Sequence, residues 1–382
     1  MGTVFVGPLV VGARGRDARP AAGSGRPHPR IAQHDPRCVR PLPAWRRGAR
    51  KRRLMAAGMA DRAVLAATLA WCLLRHPLIW KRTYDHSGVF PDPARPRSYV
   101  DKFLWRKIFD HNPVYATACD KLASKDYALS TCPELKTAKV LWSGRDATQI
   151  PPALLAGNVV VKANHGCRWN MMIRNGEVDR PKLRRRTARW MRNRYGRKFG
   201  EWAYKGARRL IFVEEMLLED DVPVPLEYKF HISNGKTAYV YAARRDRWGN
   251  ELKSHFDRDG NHAPVPPGSG SQWVKIDLPP SFLRMREIAE RLTAPFDHMR
   301  CDFYEIDGEI YFSEFSVYPL SGKGIINTKL RDLACDSWDI RQAWFLSTPQ
   351  RGWRKVYAAA LLRWLDANDR QRLQPGSQRA AP

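Results

Sequence analysis

Asp302-Phe-Tyr-Glu-Ile-Asp-Gly-Glu-Ile-Tyr-Phe-Ser-Glu314 sets two runs rich in Tyr, Phe and Ile on either side of Asp307-Gly308. Such residues suit a half-buried sheet, and Asp-Gly is a strong short-range turn signal, so the stretch predicts an antiparallel hairpin. Asp302 and Glu314 sit badly in it unless a cation or a proton lies between them, because like charges side by side repel. Which face each takes depends on the turn. A strict two-residue turn pairs Asp302 with Ser313 and sends Glu314 to the other face. A three-residue loop, Ile306-Asp307-Gly308, ending in a left-handed glycine bulge puts both on one face. The odd loop is expected, with Ser316 adding a hydroxyl oxygen two residues later. The plain alternative is a solvent-facing hairpin edge.

The 382 residues are enough for a sizeable core, as one large domain or two interlocked lobes. The formal net charge of +28 is unevenly spread: residues 1–53 hold +11 and residues 180–209 hold +12, leaving +5 for the rest. Cys38, Cys72, Cys119, Cys132, Cys167, Cys301 and Cys335 are odd in number and show no CxxC spacing. This argues against a disulfide framework or a zinc site and fits a reducing, cytoplasmic compartment. No apolar run reaches the roughly 18 residues needed to span a bilayer. Residues 63–74 are apolar but short, and read as a buried or membrane-surface helix.

Residues 1–53 are rich in Arg, Pro, Gly and Ala and lack the apolar surface that repays ordering. The expected organisation is a disordered basic tail over 1–60, a helix and Pro-rich connector over 61–98, one main domain over 99–340, and a C-terminal helix with a frayed end over 341–382. The tail also fits an over-extended reading frame whose real start is Met55 or Met59. Helices are expected near 101–110, 116–129, 283–292 and 357–365, with helical periodicity through 180–209. Strands are expected at 139–142, 158–162 and 210–214, and a hairpin over 227–243 turns at Asn234-Gly235. This mixture, with antiparallel hairpins prominent, is the α+β class.

Val159-Val-Val-Lys162-Ala-Asn164-His165-Gly166 delivers a lysine from a buried strand into a loop of small and polar residues. An ammonium there, with loop N–H groups around it, can meet a phosphate; a solvated strand end is the alternative. Neither GxxxxGK[ST] nor GxGxxG occurs. Leu210-Ile-Phe-Val-Glu214-Glu215-Met-Leu217-Leu218 can read an adenine edge and take ribose hydroxyls, or it can be a sheet edge running into an acidic turn. Glu227 and Lys229 share a face by alternation, as a cross-strand ion pair. Arg300 and Asp302 do likewise, as a salt bridge or as a guanidinium aimed at a developing oxyanion.

The order of these pieces resembles the ATP-grasp superfamily, and within it the TupA-like family, similar to a teichuronopeptide-biosynthesis protein. Asp101-Lys102, Asp120-Lys121, Lys162–Gly166, Trp190, Tyr195, Glu201-Trp202-x-Tyr204, Tyr228-Lys229-Phe230 and Arg300-x-Asp302-x-Tyr304 carry the likeness over residues 99–338. The resemblance implies ATP held between two α+β lobes. Lys121 and Lys162 would contact phosphates, with Lys125 a rival for the first role, and the 164–170 loop would close over them. The backbone around Glu215 to Leu217 would read adenine, with the ribose near Glu227. Asp302, Glu314 and Ser316 would hold Mg2+, while Arg300 and Lys229 would serve catalysis. It implies a carboxylate–amine ligase acting through an acyl phosphate in bacterial cell-surface polysaccharide or peptide-polymer synthesis. Its substrates would be a carboxylate and an amine, amino sugar or uronic-acid unit. Two departures stand out: Ser316 where many members have Asn, and Cys167-Arg168-Trp169 where more glycine is expected.

A kinase on the same fold is the second enzyme reading. Segment 180–209, with its interleaved aromatics, prompts a non-enzymatic reading as a nucleic-acid or anionic-polymer binder. Its arginines match no nucleic-acid reader module, so an anionic polymer or the inner face of the plasma membrane is the better expectation.

Overall fold

The computed structural model describes residues 44–218, 225–245, 251–263, 272–323 and 328–372. The chain divides into two compact units, 1–53 and 54–382. Of the first, only residues 44–53 are described, where a helix begins inside the segment expected to be disordered; the rest of that expectation lies outside the described residues. Both sheets belong to the second unit.

The helices are α1 (Ala44–Arg75), α2 (Pro77–Ser87), α3 (Tyr99–Ile108), α4 (Val114–Cys119) and α5 (Lys121–Thr131), followed by α6 (Arg180–Arg192), α7 (Phe282–Thr293), α8 (Thr328–Ser337), α9 (Trp344–Ser347) and α10 (Gly352–Arg372). The strands are β1 (Val140–Gly144), β2 (Val159–Ala163), β3 (Asn170–Ile173), β4 (Ile211–Glu215), β5 (Glu227–Ser233), β6 (Lys236–Arg245), β7 (Glu251–Phe256), β8 (Gln272–Trp273), β9 (His298–Ile306) and β10 (Glu309–Ser316). They form a four-stranded sheet ordered β1-β4-β2-β3 and a six-stranded sheet ordered β10-β9-β5-β6-β7-β8. All pairings are antiparallel except β7 with β8. The α+β expectation holds.

Alternation gives each sheet one apolar and one polar face. In the smaller sheet Val159, Val161, Ile211 and Val213 point into a core that Leu183 of α6 completes. The opposite face carries Lys162 and Glu214, diagonal neighbours through the pairing of Val160 with Glu214. In the larger sheet Tyr228, Phe230, Ile232, Cys301 and Phe303 pack with Met285, Ile288 and Leu292 of α7. Its other face carries Glu227, Lys229, Arg300 and Asp302.

Two expected helices differ. The one expected at 116–129 is broken at Asp120, which caps α5 by accepting from Ala123 N (2.8 Å) and also holds Arg208. The periodicity through 180–209 yields a helix only to Arg192. Leu183, Thr187 and Trp190 are its buried side; Asn193 leaves it in extended conformation, and left-handed Gly196 and Gly200 turn the chain onward. Tyr195, Trp202 and Tyr204 therefore belong to short turns after the helix, not to one helical face.

A buried charge network ties α3 to β9 and the C-terminal helices. Arg106 donates to Asp297 (2.7 Å) and to the His298 and Val317 carbonyls; Tyr115 and the Trp338 indole also donate to Asp297, at 2.8 and 2.6 Å. Asp110, next to it, accepts from Phe345 N. Burial first, and then the charge of Asp297, push the Asp110 carboxyl up to about 7. A carboxyl raised above its unfolded value of about 4 contributes stability that is full below that pH and is lost as pH rises through about 7. Asp110→Asn, isosteric with the protonated acid, should flatten that slope: its urea midpoint should fall less between pH 5 and pH 8 than the wild type's. Equal falls would show that Asp110 is charged throughout.

Candidate active site

The hairpin that decides the fold closes by a different device from the one expected. Asp307 and Gly308 both have positive φ, 54° and 78°, and Glu309 pairs with Ile306, so the turn has two residues and not three. Parity is corrected further along. The ladder runs regularly to Phe312–Phe303, then Ser313 bulges out and Glu314 pairs with Asp302, with Ser316 opposite Arg300. The expected juxtaposition holds; the odd loop does not. A bulge fits because Phe312 and Phe315, three apart, are both buried, which a regular strand forbids. The bulged Ser313 donates to Glu227 (3.2 Å). The second hairpin repeats the arrangement: a two-residue turn at Asn234-Gly235, then a shift that pairs His231 with Tyr239 and Lys229 with Tyr241.

The charged face is one connected network. Arg300 grips Asp302 through Nε–Oδ1 (2.7 Å) and Nη2–Oδ2 (2.6 Å), and Lys229 donates to Oδ2 at 2.9 Å and also pairs with Glu227. Asp302 is fully buried. Burial alone would raise its carboxyl; Arg300 and then Lys229 overcome that and hold it below the ordinary value. Glu314 is likewise lowered, chiefly by Lys121, which pairs with its Oε2 from the start of α5. Arg300 Nη2 lies 4.0 Å from the other Glu314 oxygen. Both carboxylates are met by protein cations, Asp302 by Arg300 and Lys229 and Glu314 by Lys121.

The smaller sheet contributes a second cluster. Buried Glu214 receives Lys162 on one oxygen and Lys125 on the other (2.8 Å), and Lys125 also donates to the Ala138 carbonyl. Burial raises the Glu214 carboxyl, but Lys162 and Lys125 together lower it. Asn164 joins the two clusters: its carbonyl accepts from Lys121 N, its Oδ1 accepts from Leu122 N (2.8 Å), and its Nδ2 donates to the Arg208 carbonyl. It fixes the helix that aims Lys121 at Glu314. Among the described residues, Lys121 bridges from the Lys162 loop to the Asp302–Glu314 face.

The other expected residues are engaged locally. His165 is buried with Nε2 3.1 Å from the Trp190 carbonyl, tying the loop to the end of α6. Gly166 lies under Trp169, whose ring would be 2.6 Å from a Cβ there, and Trp169 also packs edge-on against Tyr195. Trp169 therefore stiffens the loop. Glu215 accepts from Lys139 N (2.8 Å), and Leu217 lies just past the end of β4. Tyr241, opposite Lys229, was not singled out from sequence, because the shift in β6 conceals that it shares the charged face.

Asp302, Glu314 and the Ser316 hydroxyl offer hard oxygen donors on one face. Among the described residues no group of three or more His, Cys, Asp or Glu could hold a metal by itself. A cation here would complete its shell with water and phosphate oxygens, as magnesium does, and would draw the carboxylates away from Arg300, Lys229 and Lys121.

A family model described as TupA-like ATPgrasp matches residues 101–335. No curated protein matches the chain. Solved structures with similarity include the D-alanine–D-alanine ligase of Bacillus anthracis complexed with ATP, at 17% identity over 58% of this chain and 64% of that one, with a TM-score of 0.33. The ATP-grasp ligase PsnB with its minimal precursor is similar at 10% identity over 63% and 67%, with a TM-score of 0.35. The Staphylococcus aureus N5-carboxyaminoimidazole synthetase complexed with ADP is similar at 13% identity over 58% and 52%, with a TM-score of 0.29. The chain thus spans less than two thirds of the first of these structures.

The bulge fixes a register that cross-linking can read. Directly opposed antiparallel residues have Cα atoms about 4.5–5.5 Å apart, within disulfide reach. Asp302→Cys with Glu314→Cys should form a disulfide under mild oxidation, seen as a linked peptide by mass spectrometry. Linkage of Asp302→Cys to Ser313→Cys instead would restore the unbulged hairpin.

Proposed function

The chain belongs to the TupA-like ATP-grasp family, and from that premise we propose that it is an ATP- and magnesium-dependent carboxylate–amine ligase. In the reaction proposed, a substrate carboxylate oxygen takes the γ-phosphoryl group and ADP leaves. An amine then attacks the acyl phosphate, the amide forms, and inorganic phosphate departs with the bonding electrons. Chemistry of this kind is mainly positioning and charge neutralisation. The observation that supports it most is the opposed Asp302–Glu314 pair with Arg300 beside it, on the face that Lys121 joins to the Lys162 loop.

Lys162 and Lys121 supply point charges for the phosphates. Arg300, buried and always charged, spends Nε and Nη2 on Asp302 and would turn Nη1 to the oxyanion that develops at the acyl or phosphoryl centre. Lys229 holds Asp302 and Glu227 in place rather than acting as a base, since its ammonium is raised by Asp302 and Glu227 against the opposing effect of burial. Asp302 and Glu314, with Ser316, would hold magnesium, which would supply positive charge against the phosphates. The backbone near Glu215 and Leu217 would meet adenine and Glu227 the ribose. Glu214 instead serves to place Lys162 and Lys125.

The exposed arginines of α6 support an anionic substrate, such as a uronic-acid unit or polymer of the cell envelope. Arg184, Arg185, Arg186, Arg189 and Arg192 are all exposed, and of these only Arg184 acts on a carboxylate among the described residues, that of Asp146.

ADP release over a panel of carboxylates and amines tests this reading. Asp302→Asn and Lys162→Ala should each lose about a hundred-fold or more, typical for removing a charge that acts on the transition state. Phosphate should appear free with amide; phosphate left on the product would make the enzyme a kinase. ATP turnover unchanged in both variants would sink the site.

Lys121 pairs with Glu314, the carboxylate that magnesium would use. Glu314→Gln should therefore tighten magnesium-free ATP binding by about five-fold, some 1 kcal/mol at a partly exposed pair, while turnover collapses. Unchanged or weaker affinity by titration calorimetry would refute this exchange.

A further inference from the structure

One side of α1 is packed and the other is not. Leu65, Thr68 and Cys72 are buried, Asp61 pairs with Arg363 of α10 (2.6 Å), and Trp71 packs on Trp353 with centroids 4.8 Å apart. On the far side Met59, Ala63, Ala66, Ala70 and Leu74 follow at spacings of three or four, so they form one stripe along the helix. All are exposed, Met59 at 70% and Leu74 at 84%. No charged residue interrupts the sequence between Arg62 and Arg75. The chain then bends by 98° into α2, where Leu78 is 66% exposed, and Val89 and Phe90 are exposed just beyond. A solvated helix carries polar residues on its outer side, and continuous apolar exposure marks a face that something covers.

The charge beside the stripe indicates what. Arg62 and Arg75 flank it. Arg82 of α2 donates to the Lys198 carbonyl, and Gly200 lies so near Ile79 that a Cβ there would be 2.5 Å from its Cδ1. Segment 194–200 is therefore held against α2. Its Arg194, Arg197 and Lys198 are exposed and form no ion pair among the described residues, whereas Lys81 is neutralised by Asp85 (2.7 Å). Apolar side chains beside uncompensated cations match the boundary of an anionic bilayer, where the first enter the acyl region and the second meet lipid phosphates.

We propose that α1 and α2, with the 194–198 segment, form a docking face for an anionic membrane. The helices lie in the plane of the surface and do not cross it. The packed Leu65–Cys72 side and the Asp61–Arg363 pair hold α1 to the domain; among the described residues no single helix is long and apolar enough to span, and Gly58–Arg75 with Pro77–Ser87, which are so only when taken together, are turned by 98° at their break. The proposal stands independently of the ligase reading.

Co-sedimentation of the full chain with vesicles tests it, using phosphatidylcholine alone and phosphatidylcholine mixed with phosphatidylglycerol. The chain should bind the mixed vesicles and release from them as salt rises. Leu74→Ser with Leu78→Ser should weaken binding by about ten-fold or more, by loss of buried apolar area, with an unchanged thermal midpoint. Arg197→Gln with Lys198→Gln should weaken it and reduce its salt dependence. Failure of the wild type to bind, or full binding by the leucine variant, overturns the proposal. So does a solution dimer that the leucine variant converts to monomer, because the face then belongs to a second copy.

Discussion

A fully buried Asp302 can stay ionised only because Arg300 and Lys229 close on it from its own strand and the next. Removing one partner of such a buried pair typically costs about 3–5 kcal/mol, because the remaining charge is stranded away from water. The rest of the larger sheet follows from meeting that demand. β5 must lie beside β9 in the register that sets Lys229 against Asp302, and β10 must bring Glu314 opposite without adding an uncompensated charge. Lys121 supplies the last compensation, which places the start of α5, and hence the Asn164 loop that anchors it, against the same face.

Each carboxylate of the charged face therefore has a cationic partner on the protein, and each expected phosphate-binding lysine has a carboxylate. In the proposed reaction Lys121 and Lys162 would release these carboxylates for phosphate while Asp302 and Glu314 would hold magnesium, an exchange of partners at little net change in buried charge. Lys125 falls outside that exchange. Held by both Glu214 and the Ala138 carbonyl, it fastens β4 to the segment leading into β1 and keeps Glu214 in place.

The class, the hairpins and the meeting of Asp302, Glu314 and Arg300 on one face were legible because alternation and turn chemistry are local, whereas Lys162 lies in a separate cluster with Glu214. What was not legible was where the ladder slips. Asp307-Gly308 is a good two-residue turn, and reading parity from the turn alone forces a choice between that turn and opposed carboxylates. The structure keeps both by placing the extra residue within the strand. The spacing of Phe312 and Phe315 was the available signal, since two core residues three apart require a bulge. Segment 180–209 misled for the opposite reason. Its apolar positions fit a helix as far as Trp190, but Gly196 and Gly200 adopt left-handed conformations that end the pattern; beyond it Tyr195 packs on Trp169, Tyr204 on Tyr195, and Trp202 on His111 and Tyr115.

Two populations of cations can be told apart among the described residues. Those at the candidate site, Arg300, Lys229, Lys121 and Lys162, are largely covered and paired with carboxylates, and what they do is decided within a few ångströms. Those of α6 and of 194–198 are exposed, and of these only Arg184 acts on a carboxylate among the described residues, so their field extends about a Debye length, roughly 8–10 Å, into solvent. Salt screens the second population far more than the first. Ionic strength should therefore separate the proposed capture of an anionic polymer or surface from the proposed chemistry on the charged face, because the two rest on different charges.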